Sequence, residues 1–213
     1  MIPKELEAHW GRQTEFPGIP KEAFPKALLG LVLYFDLASK SPSNRQQTAL
    51  PSVAADSVWH AWMDWDKINN TQTLREFSTQ RFGGEMSHLE AVEFNLPPAL
   101  LETFARNCEW ERKSLTWGEI PTLFDLDFSL RVPFGFAYER TPQGIAMCVL
   151  DELGNKPPKV ELHPTLTEWE MYKAGLIAVK PLVCTLPLGR NIGAGCGAKC
   201  GGNCGGKCGG VVA

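Results

Sequence analysis

Hydrophobic and polar positions divide the first half of the chain into four helical stretches. After Pro25, KALLGLVLYFDLASK is apolar on nearly every side and stops before Ser41-Pro42, which predicts a buried helix. A polar loop, SPSNRQQTAL, follows it. The next helix opens with Pro51 in its first turn and runs PSVAADSVWHAWMDWD, with Ala55, Val58, Trp59, Trp62 and Met63 falling on one stripe. A third helix is predicted over about 71–81, where Thr73 and Glu76 have capping-box spacing and Leu74 and Phe77 point inward. Gly83-Gly84 ends it. The fourth, NLPPALLETFARNC, takes Asn95 as its cap and puts Leu100, Leu101, Phe104 and Cys108 on one face.

Farther on the period changes. FGFAYERTPQGIAMCVLDE alternates in places around the turn signal Thr141-Pro142-Gln143-Gly144, predicting a β-hairpin of roughly 132–139 with 144–150. Thr165-Leu166-Thr167-Glu168 then announces a last helix, with Leu166, Trp169, Tyr172 and Leu176 at helical spacing. Residues 1–20 read as irregular, broken by Pro3, Pro17, Gly18 and Pro20. The predicted fold is mainly α (α+β): a helical domain over 1–188 with one small hairpin near 132–150, and a disordered Gly/Cys-rich tail over 189–213.

Charge and composition change this picture only in part. The formal net charge is −3 over 213 residues, which argues against nucleic acid or an anionic membrane as the main partner. Arg190, Lys199 and Lys207 give the tail +3, leaving −6 on the preceding 188 residues. The longest apolar run, Ala27–Phe35, is far short of the ~20 residues a membrane-spanning helix needs, and the first residues lack the apolar core of a secretory signal. The expected compartment is the cytoplasm. There, seven cysteines read as thiols or metal ligands more readily than as a disulfide framework. Cys108, Cys148 and Cys184 each stand alone among apolar residues and read as small core side chains.

The other four cysteines are different. Cys196, Cys200, Cys204 and Cys208 recur every four residues in GCGAKCGGNCGGKCGG, a glycine string with no side chains to build a core. Four thiols in such a run supply a ligand set for a soft metal, zinc or copper(I). Ordering each residue costs roughly 1–2 kcal/mol, and glycine costs most. The expectation is therefore an adaptable site of modest affinity, not a rigid zinc module.

A second candidate lies in ADSVWHAWM. Asp56 and His60 are four apart and share a helix face at the margin of the apolar stripe. In FGGEMSHLE, Glu85 precedes His88 by three, so two carboxylates and two imidazoles form a candidate O/N metal set if the helices pack antiparallel. The plainer reading has Asp56 fixing the tautomer of a structural His60. Trp62 and Trp65 exceed what the stripe requires and suggest a partner-binding surface. His9 and His163 fall in no pattern.

Asp56-x-x-Trp59-His60, followed by Phe82-Gly83 and His88, resembles the repeated helical segment of glycine-rich domain-containing proteins, many of which end in a Gly/Cys-rich tail. The resemblance covers about 25–94 plus the tail. It implies a helical fold and carries no agreed activity. Three functions remain open: a non-enzymatic binding or scaffold protein with a protein partner and a metal-binding tail, a metal-dependent enzyme or metalloprotein built on Asp56, His60, Glu85 and His88, and a substrate whose tail is modified. No nucleophile elbow, His-Glu-x-x-His or cofactor loop is present in the sequence.

Overall fold

The computed structural model describes residues 2–12, 18–40, 48–86 and 96–181. Among these the helices are α1 (Leu6–Trp10), α2 (Phe24–Ser39), α3 (Val53–Asn69), α4 (Thr73–Phe82), α5 (Leu96–Glu111), α6 (Thr122–Leu130) and α7 (Glu168–Lys173). Three strands, β1 (Phe136–Thr141), β2 (Gly144–Val149) and β3 (Glu161–Thr167), form an antiparallel sheet in the order β1-β2-β3.

The main core gathers around α2 and α3. Ala55, Val58, Trp59 and Trp62 of the α3 stripe are buried, and Met63 lies half-buried at its margin. The Phe35 ring meets Trp59 edge-on at a centroid distance of 4.9 Å, and Trp62 packs on Phe77 of α4 at 5.2 Å. Gly30 sits mid-helix in α2, where glycine ordinarily costs up to about 1 kcal/mol. A Cβ there would overlap Leu126 Cδ2 of α6 and would only touch Ala55 of α3. The missing side chain makes room for Leu126 between α2 and α6.

The helix starts are held mainly by side chains borrowed from other elements. A helix N-terminus leaves several N–H groups without intrahelical partners. For α3 the local cap is Ser52, whose Oγ accepts from Ala55 N–H at 3.2 Å. The remaining N–H groups are met by Asp127 of α6, which accepts from Val53 and Ala54, each at 2.9 Å. The Thr73–Glu76 capping box predicted for α4 does not form: the cap position is Gln72, which makes no side-chain cap bond. Asp66, in the last turn of α3, accepts instead from the N–H of Thr73 at 3.0 Å and of Leu74 at 2.9 Å. For α6, which follows Pro121, Glu111 Oε1 accepts from Thr122 N–H at 2.7 Å and Asn107 Oδ1 from Leu123 N–H at 3.1 Å. α7 is capped by the local rule alone, with Thr167 Oγ1 accepting from Glu170 N–H at 3.1 Å.

Several expectations need correction. Residues 1–20 are not wholly irregular: Leu6 and Trp10 of α1 are buried, and Trp10 Nε1–H donates to Ser57 Oγ at 2.8 Å. Pro51 precedes the α3 cap and does not lie in its first turn. The predicted hairpin exists, with Thr141 opposite Gly144, but it carries a third strand. β3 escaped the pattern because Pro164 interrupts it and because it is irregular against β2. Gly144 and Ala146 of β2 pair with Thr167 and Leu162, so two steps on one strand face five on the other. The last helix starts at Glu168, and its buried residue is Met171. Asn95, the expected cap of α5, lies outside the described residues.

Arg140 of β1 ties the sheet to the loop after α5. Its guanidinium donates to the carbonyls of Leu115 and Ser114, each at 2.7 Å, and lies over the Phe104 ring at 5.6 Å. Cys108 and Cys148 are buried, as expected of core thiols, and burial pushes both thiols above their ordinary range. Cys184 lies outside the described residues. None of the helices among the described residues is long and apolar enough to cross a membrane.

Candidate functional site

Asp56 and His60 share a face of α3, one turn apart. Asp56 Oδ2 lies 3.6 Å from His60 Nε2, and their side chains are 32% and 29% exposed. This is the margin of the core, where the helical spacing put them. Glu85 pairs with Arg75 Nε at 3.4 Å on an exposed surface. His88 lies outside the described residues, as do Cys196, Cys200, Cys204 and Cys208. Among the described residues, no three His, Cys, Asp or Glu side chains are grouped as metal ligands would be.

The tryptophans that suggested a docking surface are engaged internally. Trp62 is fully buried and its Nε1–H donates to Thr73 Oγ1 at 2.8 Å, so it joins α3 to α4. Trp65 is half-buried and meets the His9 ring in a T-shaped contact, at 5.6 Å between centroids. His9 Nε2–H in turn donates to Asp64 Oδ2 at 2.9 Å. His9, which falls in no sequence pattern, therefore clasps α1 to α3.

A buried carboxylate in α6 is also structural. Asp127 is buried, and Ser52 Oγ–H donates to its Oδ1 at 2.6 Å. Phe136 N–H donates to Oδ2 at 3.0 Å, in addition to the two α3 bonds. Gly135 permits this close passage, since a Cβ there would come within 2.9 Å of Asp127 Cβ. Burial pushes the carboxyl above its usual range, against the pull of the four hydrogen bonds. With every partner a donor aimed at oxygen, the group is arranged to fasten α6, α3 and β1 together.

One site had no sequence signal beyond a histidine beside a proline. His163 stands where β3 leaves the β2 ladder, and its Nδ1 accepts from Thr165 N–H at 3.3 Å. That bond requires an unprotonated Nδ1 and so places the hydrogen on Nε2. Burial lowers the pKa of the ring to about 4, which keeps it neutral at pH 7. His163 lines an open-sided hollow of about 530 Å³ that also touches Met147, Val149, Leu162 and Pro164. At its rim Lys159 Nζ lies 3.1 Å from Glu161 Oε1.

In comparisons with known proteins, no family model, curated protein or solved structure matches the chain.

Proposed function

We propose that the chain is a non-enzymatic binding or scaffold protein: a helical domain that docks a protein partner and presents a thiol segment able to take up zinc or copper(I). The carrying observation is the even spacing of Cys196, Cys200, Cys204 and Cys208 in a glycine string, a pattern that core packing gives no reason for. The domain supports the reading in a second way. Among the described residues its best-connected acidic side chains, Asp127 and Asp66, spend their oxygens on helix starts, and His9 with Asp64 joins two helices. The resemblance to glycine-rich domain-containing proteins belongs to the same proposal. Metal content measured on reduced protein, with and without the four cysteines, tests it.

A metalloprotein reading is favoured by one observation, the 3.6 Å approach of Asp56 and His60 at a half-buried position. It adds Glu85 and His88 as the remaining ligands. It requires metal binding that persists without the tail cysteines and disappears in His60→Ala with His88→Ala; unchanged metal in that double variant removes it.

A further inference from the structure

The hollow beside β3 is bounded by chemistry that the helix-fastening role of the rest of the domain does not explain. Its origin is the mismatch between β2 and β3. Pro164 brings no N–H to the ladder, and the chain between Leu162 and Thr167 bows away from β2. A bowed segment must satisfy its N–H groups elsewhere, and Thr165 N–H does so on His163 Nδ1. The consequence lies at the other ring nitrogen. Nε2 holds the hydrogen, and among the described residues it has no hydrogen-bond acceptor. The residue that carries this donor lines a space of about 530 Å³, within the range of small-molecule sites, whose other walls include Met147, Val149, Leu162 and Pro164.

The rim decides the charge of an occupant. Lys159 and Glu161 neutralise one another at 3.1 Å, so an anion would meet Glu161 and a cation would meet Lys159. Neither sign is favoured over water. An uncharged molecule loses nothing to that pair and places its apolar body against the walls.

We propose that this hollow is a binding site for a small, uncharged, largely apolar molecule carrying one hydrogen-bond acceptor, such as an aryl ketone or ester, which accepts from His163 Nε2–H.

The test uses full-length protein at pH 7 and fluorine NMR with two probes of equal size, para-fluoroacetophenone and para-fluoroethylbenzene. Both should show saturable shifts, the ketone binding roughly fivefold more tightly, as one neutral hydrogen bond allows. His163→Phe should retain hydrocarbon binding and lose the preference. Val149→Trp, at a position 50% exposed and so tolerant of a larger side chain, should block both probes. Ketone addition to unaltered protein should also move the His163 Nε2 resonance, a readout that does not depend on any variant folding. Absence of saturable shifts overturns the site. So does undiminished binding in Val149→Trp, a ketone preference that survives in His163→Phe, or an unmoved Nε2 resonance at ketone saturation.

Discussion

Ser52 and Asp127, 75 residues apart, meet through a hydrogen bond of 2.6 Å from Ser52 Oγ to Asp127 Oδ1 at the start of α3. The serine caps the helix locally, and the aspartate caps it from another helix while also holding the first residue of β1. Replacing Asp127 by Ala would leave the N–H groups of Ala54, which is buried, and of Val53 and Phe136, which are half-buried, without acceptors. The expected loss is about 3 kcal/mol or more in urea unfolding. Asp127→Asn should lose nearly as much, because an amide offers one acceptor oxygen where both are used. Ser52→Ala should cost about 1 kcal/mol. An Asp127→Asn protein as stable as the parent would refute the fastening role.

Asp66 plays the corresponding part for α4. Burial raises its pKa, but the bonds from Leu74, Thr71 and Thr73 outweigh that and hold it below the ordinary value. With the folded pKa beneath the unfolded one, its contribution is present above about pH 4 and is lost as pH falls through the folded value. Asp66→Asn should remove that acid-sensitive component and cost about 1 kcal/mol at pH 7. Amide exchange in α4 should quicken in parallel, and unchanged exchange there would count against the borrowed cap.

His163 gives a second, separate pH dependence. Its folded pKa of about 4 lies below the usual 6.5. The unfolded chain therefore binds more protons between those values, and stability falls as pH drops through that window. The shift corresponds to at most roughly 3 kcal/mol. Melting curves from pH 7 to 4.5 should show a steeper loss for the parent than for His163→Gln. Equal slopes would mean that the ring is not held neutral by burial.

Thiol reactivity should divide the cysteines. Cys108 is 1% exposed, and burial raises its thiol pKa, so both access and thiolate fraction are low. Alkylation of native, reduced protein followed by peptide mapping should leave Cys108 unmodified while Cys196, Cys200, Cys204 and Cys208 react. Labelling of Cys108 should appear only with unfolding. Rapid native labelling of Cys108 would contradict the packing described for α5.

The parts of the fold legible in the sequence are those fixed by local rules. The stripe of Val58, Trp59 and Trp62 follows from helical period alone, and the Thr141–Gly144 turn follows from local turn chemistry. What escaped depends on distant partners. α6 has no side-chain cap of its own, because Asn107 and Glu111 supply it from α5. The Thr73–Glu76 box misled for the same reason, since Asp66 had already taken the α4 N–H groups. β3 lacked alternation because Pro164 and the bulge break it. Of the candidate site, Asp56 and His60 lie where helical spacing put them, whereas the tautomer of His163 depends on a bulge that no periodicity reveals.

Metal content of reduced full-length protein, compared with the variant carrying Ser at 196, 200, 204 and 208, bears most directly on the proposed function. The account predicts about one zinc or copper(I) per chain in the parent and none in the variant. No metal in either protein, or equal metal in both, would contradict it.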